Sequence, residues 1–438
     1  MLREGLKKYE TRPLSCWGKA KELRYNFFKE FITAREKGKY VSLGGTLWLD
    51  SLLAGVGDVL HLGGEIYGAT IGSDPSFAQA CDEAVEARGY SRDLCAWTRG
   101  YWGSIFLDRF YFGGQFPKPD FVITRHACDS HAKWFQTIAE HFNVPYFGID
   151  IALGRRKDEK ESLRTEYMVA QMQEAIEWLE KITGKKYDDE RLIQSMETEW
   201  EAGRTWAEVC SLNKAIPAPL DLKSIYSLFV ITAQARNRKE TLEFNRILRD
   251  EVKDRVQRGI AALATERCRL ITDVPPPFYF LELYHYAARY GAVFTGSEYT
   301  FFLMGAWTDQ EDGSWGPAKS LKELGINLKN REDALRLLAK WMDEHWHGAC
   351  FYLPQVRTEL MARLAKEWHA NGAVIHLNRG CEGMSFGQME QRLGLMNMGI
   401  PVATFEGNFG DKRELDETQV LDRIDAFLES MGLAKLEA

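Results

Sequence analysis

"AVIHLNRGCEGMSFGQMEQRLGLMNMGIPVATFEG", residues 373 to 407, holds two short apolar runs joined by a helix-like segment, with a cysteine at the first junction. The run "AVIHLN" ends in "RGC", and Gly380 places Cys381 where a strand turns into a helix. Short β-rich runs alternating with helical patterns predict βαβ units and a parallel sheet. Ligands of such sheets gather at the carboxyl ends of the strands. A thiol there has three readings: packing, a nucleophile or a metal ligand.

The same plan appears in the first half. "KYVSLGG", "DVLHLGG", "FVITRHACD" and "VPYFGIDI" are strand-like runs separated by helical patterns such as "SHAKWFQTIAEHF". Between the halves, "LRTEYMVAQMQEAIEWLEKITG" and "TLEFNRILRDEVKDRVQRGIAALA" carry apolar residues at three- and four-residue spacing, which predicts helices. The expected architecture is α/β, with two Rossmann-like (flavodoxin-like) domains, mainly parallel sheets and a helical insert. The expected boundaries are 1–160, 161–265 for the insert or hinge, and 266–438.

Composition sets limits. The chain has 438 residues, enough for two domains, with 45% hydrophobic and 27% charged residues, as in an ordinary globular protein. A net charge of -7 gives no electrostatic case for nucleic acid. No apolar span approaches the roughly 20 residues of a membrane helix. "MLREGLKKYETRPLSCW" lacks the apolar core of a secretory signal, so a cytoplasmic address is expected. Eight cysteines in so long a chain are too dilute for a disulfide framework.

The cysteines sort by context. Cys128, in "ITRHACDSH", and Cys381 occupy the same local position in the two halves, so both are expected at one interdomain cleft. Cys95, in "DLCAWTRGYWG", opens a helix and offers a third thiol. Cys81, Cys210 and Cys268 lie inside helical or strand patterns and read as core, and Cys16 is near a terminus. Three scattered thiolates suit zinc or an iron–sulfur cluster, and spacing does not separate the two.

Other motifs fall short. His345, His347 and Cys350 in "DEHWHGAC" look like a metal cluster, but i and i+2 positions face different sides of a helix. Gly55 and Gly57 begin a dinucleotide fingerprint that Leu60 breaks, and no phosphate-binding G-x-x-x-x-G-K-[ST] loop exists.

With these residues laid out, the chain resembles the benzoyl-CoA reductase and 2-hydroxyacyl-CoA dehydratase family. The resemblance rests on "YVSLGGTLWLDSLLAGVGDVLHLGGEIYGA", "DLCAWTRGYWGS", "DFVITRHACDSHAKWFQ" and "NRGCEGMSFGQMEQRLGLMNMGIPVATFEGNFGDKRELDETQVLDRIDAFLE". Length and the aromatic-rich first half look most like the B-type subunit of ATP-dependent benzoyl-CoA reductase. The resemblance implies a [4Fe-4S] cluster on Cys95, Cys128 and Cys381. It also implies a related cluster-bearing sister subunit, a two-subunit iron–sulfur ATPase as electron donor, and an aryl-CoA substrate. Two other roles within the family are a 2-hydroxyacyl-CoA dehydratase subunit and a non-catalytic electron relay. Outside it stands a small-molecule-binding protein with unliganded thiols. Family members usually carry a Pro and a Glu in the segment after the first strand, and here Thr46 and Asp50 stand nearby. The expected proton donors are His126 and His131, which flank Cys128. His376, before Cys381, reads equally as a packed strand residue.

Overall fold

A computed structural model describes residues 7–152, 159–344 and 353–437. Two four-stranded parallel sheets organise the chain. The first holds β1 (Tyr40–Gly44), β2 (Val59–Gly63), β3 (Phe121–His126) and β4 (Tyr146–Asp150), in the order β2-β1-β3-β4. The second holds β5 (Cys268–Thr272) and β6 (Ala292–Ser297). After the antiparallel hairpin of β7 (Trp307–Asp309) and β8 (Trp315–Pro317), β9 (Gly372–Asn378) and β10 (Val402–Gly407) complete it, in the order β10-β9-β5-β6. Read from β6, the second sheet repeats the strand order of the first. Each therefore has its topological switch point between its first and third strands, β1/β3 and β5/β9, where α/β sheets open a crevice.

The strands read as continuous apolar runs because both faces are covered. The first five residues of β3 are buried, as is every residue of β5 and β6. One continuous apolar core runs through both sheets and the surrounding helices.

Four long helices, Glu161–Thr183, Asp189–Leu212, Leu222–Gln234 and Lys239–Arg258, fill the middle of the sequence. Helix Asp189–Leu212 packs on Lys239–Arg258, on the short helix Leu49–Ala54 after β1, and on β8. The buried pair Arg236–Glu199, at 2.5 Å, fastens this layer internally, and Glu199 also accepts the Ser51 hydroxyl. The β7–β8 hairpin was not foreseen. Its turn uses Gly313 in the left-handed region (φ 77°). Among the described residues no helix is long and apolar enough to cross a membrane.

Candidate active site

The two switch points face one cavity of about 370 Å³, and Cys95, Cys128 and Cys381 all line it. Each thiol sits at a helix start. Cys95 precedes helix Ala96–Phe106, Cys128 follows β3 and precedes Asp129–Phe142, and Cys381 follows β9 and precedes the single turn Glu382–Ser385. Backbone N–H groups left free by a helix start are donors for a sulfur. The Met384 N–H donates to Cys381 Sγ at 3.4 Å, and Cys128 and Cys95 accept from His131 and from Trp97 and Thr98. Even so, burial raises all three thiols. Cys128 is pushed up to about 12, and Cys381 is raised further by burial and by the charges of Cys95 and Cys128. Three free thiols in this cavity stay protonated at neutral pH.

The two halves are tied where the thiols meet. The Ala96 N–H donates to the Gly380 carbonyl at 3.0 Å, and the Phe278 N–H to the Phe409 carbonyl at 3.0 Å. Buried Arg99, one turn beyond Cys95, donates to Asp411 Oδ2 at 3.2 Å, and Trp97 packs on Phe409 with centroids 4.6 Å apart. Gly380 is required by a neighbour in the protein: a Cβ there would fall 2.4 Å from Asn408 Oδ1.

The expected histidines separate. His131, on the inner face of helix Asp129–Phe142, lines the cavity and is buried. His126, at the end of β3, is not among the lining residues. Its ring is 42% exposed, 3.5 Å from Asp129 and 3.4 Å from Asp150. His376 is a packed strand residue. Its Nδ1 donates to the Pro275 carbonyl at 3.0 Å, its ring stacks on Phe405, and burial lowers it to about 4. Cys16, Cys81, Cys210 and Cys268 are buried outside the cavity, whereas His345, His347 and Cys350 lie outside the described residues.

Glu65, at the start of helix Gly64–Gly72 after β2, was missed by sequence reasoning. It lines the cavity, accepts the Thr46 N–H at 2.6 Å through Oε2, and holds His131 Nε2 at 3.3 Å on Oε1. His131 Nε2 faces Glu65, and Nδ1 has no hydrogen-bond partner among the described residues. Burial lowers the imidazole's pKa against the pull of Glu65. Arg125 stands 4.0 Å from Glu65, donates to the Thr46 carbonyl at 3.2 Å and lies over the Trp48 ring. The turn it holds is strained: Leu47 (φ 81°) and Trp48 (φ 61°) are both left-handed without being glycine, a cost on the order of 1–3 kcal/mol each.

The second sheet contributes differently. Glu298 follows β6 as Glu65 follows β2, but buried Arg357 engages it at 3.2 Å and Gln391 at 2.7 Å. Arg357 also reaches Asp273 at 3.6 Å and donates to the carbonyls of Met384 and Phe386, fixing the loop after Cys381. This half supplies a thiol and apolar wall (Leu303, Met304, Met384, Phe386), together with Tyr299, whose buried phenol is raised by burial and by the charges of Glu65 and Cys381. Among the described residues no three His, Cys, Asp or Glu side chains form a group that holds a single metal ion.

Comparison with known proteins matches residues 66–431 to a family model described as 2-hydroxyglutaryl-CoA dehydratase, D-component. The (R)-2-hydroxyisocaproyl-CoA dehydratase alpha subunit of Clostridioides difficile is 28% identical over 411 residues, 91% of each chain. The (R)-phenyllactyl-CoA dehydratase alpha subunit of Clostridium sporogenes is 27% identical, covering 93% of each. The B-type subunit of benzoyl-CoA reductase from Thauera aromatica is 23% identical, covering 79% of this chain and 78% of its own.

Proposed function

Because the chain belongs to the 2-hydroxyglutaryl-CoA dehydratase D-component family, we propose that it is the thioester-binding, iron–sulfur subunit of a 2-hydroxyacyl-CoA dehydratase. The observation that carries this reading is the cavity, which combines three thiols, the Glu65–His131 pair and an apolar wall. Its volume falls in the roughly 300–1,000 Å³ range of small-molecule sites. Relatives matched over more than nine-tenths of both chains are named as dehydratase subunits, and the reductase match is lower in identity and shorter. This supports dehydration over the dearomatising reduction that the sequence first suggested.

In this reading residues 1–160 and 266–438 form the two walls, and 161–265 is the helical unit that braces them. Cys95, Cys128 and Cys381 would hold a [4Fe-4S] cluster, and the donor set fits one. Burial and mutual repulsion oppose ionising all three thiols, so a multiply charged iron core is what would keep them as thiolates. Thiolates on separate irons also need not crowd one ion. When bound, such a cluster would supply single electrons at low potential and one iron without a thiolate from this trio. The partners would be a cluster-bearing sister subunit and an iron–sulfur ATPase that delivers electrons.

The reaction takes the hydroxyl from C2 and a hydrogen from C3 of the acyl chain, leaving a 2-enoyl thioester and water. Glu65 Oε1 receives the C3 proton, and the His131 Nε2–H orients that carboxylate. Tyr299, on the opposite wall, offers a hydroxyl donor to the departing C2 oxygen. Ile66, Leu303 and Met384 hold the acyl chain. His126, outside the cavity wall, touches none of these atoms.

The test is the anaerobically assembled complex, given (R)-2-hydroxyacyl-CoA thioesters or benzoyl-CoA while ATP is counted. Dehydration to the enoyl thioester, with far less ATP consumed than product formed, is the expected result. Dearomatisation of benzoyl-CoA with ATP spent at every turnover would overturn the reading.

A further inference from the structure

A second cavity of about 290 Å³ lies on the far side of Thr46 from the thiols, lined by Asp50, Ser195, Gln234, Asn237 and Arg238 among others. It reaches the surface at Arg191, Gln194 and Lys239, all exposed. A third, of about 10 Å³, joins the two: it shares Thr46 and Ile66 with the thiol cavity, and Asp50, His61 and Gln234 with the outer one. That volume is about one water and far too small for an acyl or pantetheine chain.

The connecting walls are polar and under-satisfied. Thr46 Oγ1 and Gln234 Nε2 are buried side-chain atoms without a hydrogen-bond partner among the described residues, in side chains only 5% and 6% exposed. Thr46 Oγ1 lies over Gly63, another lining residue, where a Cβ would come within 2.4 Å of it. A donor and a hydroxyl left over on the wall of a one-water space are the partners that a buried water needs. His61 is part of the wall with both ring nitrogens engaged: its Nε2 donates to the Gly45 carbonyl at 2.9 Å, so its Nδ1 accepts the Ser42 hydroxyl at 2.8 Å. Asp50 faces the outer end, its carboxyl raised to about 7 by burial and by Glu199 against the pull of Arg236 and Arg238.

We propose that Thr46, Gln234 and Asp50 line a hydrated conduit that links the thiol cavity to solvent through the outer cavity, separate from the mouth at Phe386 through which the thioester enters. Its cargo, resting on the dehydratase reading, is the water formed from the C2 hydroxyl and the C3 proton. A bound thioester occupies the mouth, whose exposed lining is Phe386, Asp129 and Glu382, and the Thr46 side is the way left open.

The test joins a crystal structure of the assembled complex, at a resolution that orders waters, with kinetics of Gln234→Leu. A water on Thr46 Oγ1 and Gln234 Nε2, lost in the variant, is expected, with kcat lowered about tenfold, the loss of one hydrogen-bonded step, and KM unchanged. A dry connecting space in the wild type, or an unchanged kcat, overturns the proposal. The wild-type waters decide the conduit even if Gln234→Leu fails to fold. Failure of the wild-type complex to dehydrate any 2-hydroxyacyl thioester is a separate result, which removes the cargo and the dehydratase reading together.

Discussion

The Ala96 N–H and the Gly380 carbonyl meet at 3.0 Å, so the residue after one cavity cysteine is bonded to the residue before another. This bond crosses from the first half of the chain to the second and sets how far Cys95 stands from Cys381. Ala96 is the first residue of its helix, and Cys95 before it is extended (ψ 125°). Proline suits both conditions. Ala96→Pro therefore deletes the donor with the helix kept, and its ring pushes against Gly380. The expected outcome is a modest stability loss, about 1–2 kcal/mol, with weakened retention of iron. Iron retention equal to wild type would show that the bond does not set the cavity's geometry.

Glu65→Gln keeps shape and hydrogen bonding to Thr46 but removes the base. Turnover of the assembled complex should fall by roughly 10²–10⁴-fold, the usual worth of a positioned acid or base, with iron content unchanged. Turnover within a factor of a few of wild type would take Glu65 out of the reaction.

Arg357 is fully buried between Asp273 and Glu298 and holds the loop after Cys381. Removing one partner of a buried charge cluster leaves the others uncompensated, at about 3–5 kcal/mol. Arg357→Ala should lower the denaturant midpoint accordingly and loosen the loop that carries Met384 and Phe386. A midpoint unchanged within error would mean that this network contributes nothing net.

Asp50 supplies a pH test independent of catalysis. Its folded pKa of about 7 lies above the ordinary 3.8, so the folded state binds its proton more tightly than the unfolded chain. Its contribution is present at low pH and is lost as pH rises toward about 7. Asp50→Asn does not titrate. The urea midpoint of the wild type, compared with this variant, should drop between about pH 4 and about pH 7. A gap independent of pH would place the Asp50 carboxyl in an ordinary aqueous environment.

Much of the site was readable because its thiols mark strand ends. Apolar runs closed by "RHAC" and "NRGC" put Cys128 and Cys381 at equivalent turns whatever the sheet order, and the sheets share that order. Glu65 was not readable: in "HLGGEIYGA" a single acid at a helix start looks like an ordinary first-turn carboxylate, and only folding brings His131, 66 positions on, within 3.3 Å. Nor could sequence separate His126 from His131. One ends a strand and the other lies on the inner face of the following helix, so five positions carry them to opposite sides of the wall. The Arg357 network, joining residues from four segments, leaves no local pattern. The need for Gly380 is equally non-local, since it comes from Asn408, 28 positions on.

The most direct measurement is iron and acid-labile sulfide in the complex co-expressed anaerobically with its sister subunit, wild type against Cys381→Ser. Loss of one cluster's worth of iron, with the fold retained by circular dichroism, is the result expected if Cys95, Cys128 and Cys381 together hold a cluster. Iron unchanged by the substitution, or absent from the wild type, would contradict it and leave Cys381 as a strand-end thiol in an apolar cavity.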